Sequence, residues 1–289
     1  KNIFQIINPA FAMNFSSLRR FHGNYKLMMD KIKSFLYKTL GLHQYLQLIQ
    51  NGFLIGYKSG ILKWNEKYRW HYFIKKLIRP DDTIIDIGAN LGYFSLAFSK
   101  LINQKGALYS VEPVKPYREL LEKKMPRRPN IFILSFALGN HDEKSINLGM
   151  PPMLRHIKYL RHGTVTVLSK EKTADGQLLF ESILRKASDV FSAFEKIDYI
   201  KCDIEGYETV VMPEIKDALV KHKPLVQLET WGEQLPVMLQ LFESIGFNPY
   251  HLKKGKLLDA RKLDLQIISS SDILFVHPEK KKIIDPYLA

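Results

Sequence analysis

The sequence predicts an α/β fold, a seven-stranded and mostly parallel sheet with helices on both faces, preceded by a basic helical extension. Three observations predict it. From residue 83 onward, short apolar runs alternate with helical segments, the pattern of strands covered on both faces. The first run, TIIDIGANLGYF at 83–94, carries one acid, Asp86, and breaks into a turn of Gly88, Ala89, Asn90 and Gly92, an ending that a plain core strand does not need. The charge is lopsided as well: residues 1–80 hold 14 Lys and Arg against only Asp30 and Glu66, so nearly all of the net +14 belongs to them.

That basic surplus favours anionic partners, with peripheral contact between residues 1–80 and an anionic membrane as the expected form and no nucleic acid expected. No apolar run approaches the roughly 18 to 20 residues of a membrane-spanning helix. The N-terminal NIFQIINPAFAMNF is interrupted by Gln5, Asn8 and Pro9 and flanked only by Lys1, which makes a poor signal peptide. A single cysteine, Cys202, allows neither an intrachain disulfide nor a cysteine-based zinc site, so a cytoplasmic location is the default.

Within residues 1–80, the positions Leu27, Met28, Ile32, Phe35, Leu36 and Leu40 recur at helical spacing, which predicts one or two amphipathic helices over 17–50. FLIGY, KSG and ILKW at 53–64 read as a short hairpin turning at Ser59-Gly60. EKYRWHYFIKKLI predicts another helix, closed by Arg79-Pro80 because proline cannot continue the hydrogen-bond ladder. The second domain, 81–289, supplies the strands: 83–89, 107–113, 131–138, 198–204, 225–230, 247–252 and 272–278. Residues 139–190 interrupt the rhythm with a polar, basic insertion carrying His156 and His162, followed by QLLFESILRKASDVFSAF, which reads as helical. Loops at the carboxyl ends of parallel strands line the ligand crevice, so this insertion is expected at the site.

The turn after the first strand lets a ligand come close to backbone, since glycine has no Cβ in the way. Its spacing is neither the G-x-G-x-x-G of dinucleotide enzymes nor a phosphate-binding loop ending in Lys-Ser/Thr, which disfavours a pyrophosphate. What remains is D-x-G-x-N-x-G, followed by Glu112 at the end of the second strand, placed to accept hydrogen bonds from the two hydroxyls of a ribose. The expected ligand is a nucleoside without phosphates. Asp203 and Glu205, two residues apart at the end of the fourth strand, fall on one side of an extended chain; a close pair of acids repels, which raises one pKa into the range of a base. Glu229, at the end of the fifth strand, adds a third carboxylate to the rim. Three acids can hold magnesium, but nothing in the spacing requires it and no metal is expected.

IDIGANLGYFS, SVEP at 110–113, ALGN at 137–140, SDV at 188–190 and IKCDIEGYE at 200–208, in that order, resemble the successive motifs of the FkbM family of S-adenosylmethionine-dependent methyltransferases. The resemblance covers roughly residues 53–278. One departure is Ala187-Ser188-Asp189, where the family has Thr-Leu-Asp. The resemblance implies a Rossmann-like methyltransferase sheet and S-adenosyl-L-methionine as cofactor. Asp86, Gly88, Asn90, Gly92 and Tyr93 would hold its methionine part, Glu112 its ribose, and Phe136 and Ala137 its adenine, with Asp203 also close by. The acceptor would be a hydroxyl of a small molecule, sugar or glycan, anionic partners being favoured, with Asp203, Glu205 and Glu229 as candidate catalytic acids and His156 and His162 as alternative bases. Two other readings stay open at this point: an NAD- or nucleotide-sugar-linked enzyme using Glu112 in the same way, and a non-catalytic adaptor that sits on membrane or nucleic acid through its basic helices.

Overall fold

A computed structural model describes residues 15–150, 166–167, 178–264 and 270–289; His156 and His162 lie outside the described residues. In chain order the elements are α1 (Phe15–Ser59), α2 (Arg69–Phe73), β1 (Thr83–Ile87), α3 (Ser95–Leu101), β2 (Ala107–Val111), α4 (Lys115–Lys124), β3 (Ile131–Leu134), β4 (Phe136–Gly139), β5 (Glu143–Met150) and β6 (Thr166–Val167). They continue with β7 (Leu178–Lys186), α5 (Ala187–Ser192), β8 (Tyr199–Cys202), α6 (Glu208–Glu214), α7 (Lys216–His222), β9 (Leu225–Trp231), α8 (Gln234–Ser244), β10 (Asn248–Lys253), β11 (Lys256–Asp259) and β12 (Ser270–Val276). The chain divides into two compact units, with the boundary between Tyr45 and Leu46.

In the first unit α1 is broken at Gly41, whose φ of 73° and ψ of 173° are not helical, and Tyr37 meets Tyr45 edge to face at 5.8 Å. In the second unit the helix runs on through the stretch expected to be a hairpin. Phe53 and Tyr57, four residues apart, share a helix face and stack at 5.9 Å, while Gly60, at φ 80°, ends the helix and starts a 3₁₀ turn over Ile61–Trp64. Ser59-Gly60 is thus a helix stop of the left-handed glycine type and not a turn between strands. The helix expected after it is a series of short turns around α2.

The main sheet has the order β11-β10-β12-β9-β8-β1-β2-β3. β9, β8, β1, β2 and β3 run parallel, and β12 pairs antiparallel with β9. Eight strands stand where seven were expected, because the basic, polar stretch after β10 turns back and pairs along it as β11. Strand alternation divides the core between the two faces. Ile85, Ile200, Val226 and Phe275 pack under α5 to α8. Ile84, Tyr199, Leu225 and Leu274 pack under α2, α3 and α4.

The single strand expected over 131–138 is two, split at Ser135: β3 closes the edge of the main sheet, and β4 begins a second sheet of order β4-β7-β5-β6. The segment 178–186, expected to be helical, is strand β7. Its inward positions, Leu178, Phe180, Ser182 and Leu184, alternate with outward ones, but Leu179 and Ile183 point outward although apolar. Those two leucine-like residues on the wet face hide the period of two and mimic a helical stripe. The helix expected there starts only at Ala187.

Phe275 sits at the centre of the first core, stacked on Phe242 of α8 with ring centres 3.9 Å apart. Phe275→Ala should destabilise the fold by roughly 3–5 kcal/mol, read as a lower urea midpoint at unchanged slope; a loss under about 1 kcal/mol would mean this face is not packed as described.

Candidate active site

β1 lies between β2, which follows it in the chain, and β8, reached only after the second sheet, so the winding of the sheet reverses beside β1. Ligands of open parallel sheets bind at the carboxyl ends of the strands at such a point. A cleft of about 710 Å3, counting the solvent at its mouth, opens there. Gly88 and Asn90 after β1, Glu112 and Val114 after β2, and Asp203 and Glu205 after β8 line it, with Tyr117, Ala137 and Leu138 along its apolar side.

The wall formed by the first two strands is built on one close approach. Gly88 has φ 79°, and a Cβ there would lie 2.0 Å from the Asp203 carbonyl oxygen. Glycine is required both by the backbone angle and by the neighbouring loop. Asn90 follows in the left-handed region at φ 51°, and its backbone N–H donates to one oxygen of Glu112 at 2.6 Å while the N–H of Val114 donates to the other at 2.8 Å. The carboxyl is therefore locked in orientation beneath the turn. Burial pushes its pKa up to about 7 even though these two bonds and Arg118 pull the other way. Gln50 of α1 ties the turn down from outside, donating to the carbonyls of Leu91 at 2.8 Å and Leu120 at 3.1 Å.

The opposite wall is acidic. Glu208, at the start of α6, accepts hydrogen bonds from the backbone N–H groups of Ile204 and Gly206 at 2.7 and 2.9 Å and so shapes the loop after β8. Within that loop Glu205 is held at φ 54°, a conformation that a non-glycine residue adopts only where its surroundings force it. Asp203, Glu205 and Glu229 bring carboxylate oxygens within 4.8 Å of one another. Asp203 and Glu229 share a hydrogen bond.

Beneath these acids lies a row of polar side chains on one sheet face. The register pairs Ser110 with Asp86, Asp86 with Lys201 and Lys201 with Gln227, and Glu229 with Asp272 one step closer to the carboxyl ends. Lys201 is 1% exposed, with its ammonium 3.3 Å from Asp203 and 3.9 Å from Asp272, and 5.2 Å from the centre of the Phe94 ring. Burial alone would strip its proton, but the nearby carboxylates, Asp203 and Asp272 foremost, outweigh burial and raise its pKa. Burial likewise opposes ionisation of Asp203, yet Lys201 and the Glu229 hydrogen bond hold that carboxyl below its usual range. The proton of the pair stays on Glu229, whose pKa is raised by its bond to Asp203 and then by burial. Glu205 is raised to about 7 by burial and by the charges of Asp203 and Glu208. The result is a rim of three carboxyls with separate protonation states. Its spacing also suits a divalent cation, against which the Lys201 ammonium competes from below.

The structure brings Gly88, Asn90, Glu112, Ala137, Asp203 and Glu205 to the cleft. Asp86 is fully buried under the turn, bonded to the Ser95 hydroxyl, and faces Lys201 and not the cleft; burial lifts its pKa to about 6. Gly92 packs against Leu121 and Leu96, Tyr93 meets Phe53 at a tilt of 37° with ring centres 4.1 Å apart, and Phe136 packs against the first core. Glu229 joins the site through Asp203. Lys201, Gln227, Asp272, Glu208 and Gln50 escaped the sequence reading. A lysine in the middle of the apolar run DYIKCDI was the available signal, because strand positions buried on both faces carry a charge only when a partner is present. His71 was missed too: 8% exposed, stacked on Phe94 at 3.9 Å, both ring nitrogens without a hydrogen-bond partner among the described residues, and driven down to a pKa of about 3 by burial and then Lys201.

This strand order, with a glycine turn and a buried carboxyl on one side of the switch point and acids on the other, defines a Rossmann-like sheet of the methyltransferase class. The chain belongs to the FkbM methyltransferase family: the sequence model of the Methyltransferase FkbM domain matches residues 86–249. No curated protein sequence matches it. Among solved structures it is similar to the methyltransferase FkbM of Methylobacillus flagellatus KT, at 14% identity and TM-score 0.44, over 68% of this chain and 44% of that one. It is also similar to the SAM-dependent O-methyltransferase of Thermotoga maritima (12% identity, TM-score 0.39, 72% of this chain and 63% of that one). A third is Aeropyrum pernix fibrillarin with natively bound S-adenosyl-L-methionine (12% identity, TM-score 0.38, 73% and 74%). The chain thus spans less than half of the Methylobacillus protein.

The pKa pattern has a consequence for stability. Asp86, Glu112 and Glu205, raised to about 6, 7 and 7, keep protons in the folded chain that the unfolded chain releases near 4 to 4.5. The folded state binds more protons in that window, so stability falls as pH rises through it. Lys201→Met should cost roughly 3–5 kcal/mol by leaving Asp203 and Asp272 without their cation. The loss should be greater at about pH 8 than at about pH 5, where the stranded acids can protonate. Urea unfolding at the two pH values reads both, and an equal loss at each would contradict the charge network.

Proposed function

We propose that this protein transfers a methyl group from S-adenosyl-L-methionine to a hydroxyl of a small molecule, sugar or glycan. The observation that carries the reading is the pairing of two walls across one cleft: a locked carboxyl, Glu112, and a glycine cradle on one side, and a base-ready acid, Glu205, on the other.

The first wall fits the cofactor. Glu112 spends one acceptor site of each oxygen on a backbone N–H and keeps the rest for the ribose hydroxyls. Gly88 lets the turn close against the Asp203 loop, where a side chain would force the two walls apart. The Tyr117 hydroxyl, buried on the cleft wall, has no hydrogen-bond partner among the described residues and can take one from a ligand. Ala137 and Leu138 supply an apolar surface for the base. Bound there, S-adenosyl-L-methionine supplies an electrophilic methyl on a sulfonium.

The second wall handles the acceptor. Glu205, with a pKa near 7, takes the hydroxyl proton, since a base poised near the working pH combines a large ionised fraction with useful basicity. Asp203, kept ionised by Lys201, orients the hydroxyl, and Glu229 holds Asp203 in place by their shared hydrogen bond. Positioning of the two reactants supplies the remainder of the rate.

Calorimetric titration tests the first wall. S-adenosylhomocysteine should bind and NAD should not; Gly88→Ala should weaken binding at least about tenfold, as should Glu112→Gln, whose amide nitrogen cannot accept from Asn90 or Val114. Binding of NAD alone would overturn the assignment. For the second wall, Glu205→Gln should leave S-adenosylhomocysteine affinity unchanged and lower turnover roughly 10²–10⁴-fold. In the parent enzyme at saturating S-adenosyl-L-methionine, where ionisation of Glu112 no longer limits cofactor binding, activity should rise with pH through about 7 as Glu205 loses its proton, and the variant should lack this limb. Retention of the limb would place the base elsewhere.

A further inference from the structure

The end of α1 and the turn that leads to α2 are out of keeping with a water-facing surface. Trp64 (93% exposed), Ile61 (69%) and Ile55 (68%) are the three most exposed large apolar side chains among the described residues. Ile61 and Trp64 are three apart in a 3₁₀ turn, where such positions share a face, so they form one short ridge.

Around this ridge the charge is almost all of one sign. From Lys58 to Lys76 there are six Lys and Arg and one acid, Glu66, which pairs with Arg69 at 3.4 Å. Lys63 and Lys75 lie against the aromatic shoulder of the turn, their ammonium groups 5.6 and 5.9 Å from the centre of the Tyr72 ring. An apolar tip inside a basic collar suits the boundary layer of a bilayer, where tryptophan and isoleucine settle at headgroup depth and lysines meet lipid phosphates. A second copy of this chain is a poor occupant, because the two collars would repel. No described helix is long and apolar enough to cross a membrane.

We propose that this turn docks the protein on a bilayer surface containing anionic phospholipid, with Ile61 and Trp64 inserted below the headgroups and Lys58, Lys63 and Lys67 on the phosphates. The placement has a use. The charge of Lys67 is felt by both Glu205 and His71, which sets the collar beside the acidic wall of the cleft, so docking would present that wall to acceptors at the headgroup level. Docking itself does not depend on the methyl-transfer reading.

Cosedimentation of the full chain with vesicles tests it. With equal parts phosphatidylcholine and phosphatidylglycerol the protein should pellet, less so as salt rises, and with phosphatidylcholine alone it should stay in solution. Ile61→Ser with Trp64→Ser should weaken binding at least about tenfold, and Lys58→Glu with Lys63→Glu should remove its salt dependence. All four side chains are exposed or half-exposed, so unfolding temperatures should match the parent and loss of fold is checked directly. The proposal is overturned if the serine variant pellets like the parent, if neither vesicle is bound, or if single-stranded RNA is held more tightly than the vesicles. A dimer in sedimentation velocity that the serine variant dissolves would overturn it as well, by assigning the ridge to a second copy.

Discussion

One buried ammonium organises the reactive end of this sheet. Lys201 sits on β8 in the interior of the sheet, out of reach of water, and is tolerable there only because carboxylates, Asp203 and Asp272 foremost, compensate its charge. The acids are in turn tolerable only because of the lysine. Neither set can be removed alone without leaving uncompensated charge in the core. The register of four strands enforces the arrangement, since Asp86, Lys201 and Gln227 are direct neighbours across β1, β8 and β9. Tyr199 and Asp272 close the row through the amide of Gln227. What reaches the cleft from this row is Asp203, already ionised, beside Glu229, still protonated. The different protonation states that the rim needs are thus a property of the sheet and not of the loop alone.

The two walls depend on each other through Gly88. Its backbone passes so close to the Asp203 carbonyl that the glycine turn after β1 and the acidic loop after β8 are in effect one surface. Glu208 fixes that loop from below and Gln50 fixes the turn from the side. The left-handed backbone of Glu205 is held by this double support, and its side chain lines the cleft. Glycine turn and acid rim therefore share their scaffold.

How much of this was legible in the sequence depended on range. The strands from 83 to 138 are local patterns and read correctly apart from the break at Ser135, and the glycine turn and Glu112 that follow the first two of them lie at the cleft. Asp203 and Glu205, two residues apart after one strand, are a local pattern too, and both line the cleft. Lys201 with Asp272, and Gln50 with Leu91, are pairs whose members lie far apart in the chain, and nothing local marks either member as half of a pair. Two segments misled: β7, because Leu179 and Ile183 put apolar side chains outward, and the end of α1, because glycine stops helices as well as turning hairpins. Asp86 was read as part of the cofactor seat. Its partner Ser95 is nine residues on, but the lysine that sets its surroundings comes from another strand.

The central claim is that the buried ammonium sorts the three carboxyls of the rim into distinct states. Carbon-detected NMR of the side-chain carboxyls across a pH series observes this directly. The account predicts that Asp203 is ionised throughout the neutral range, that Glu205 titrates near pH 7, and that Glu229 is still protonated there. Three curves centred together near 4, as for independent surface acids, would contradict it.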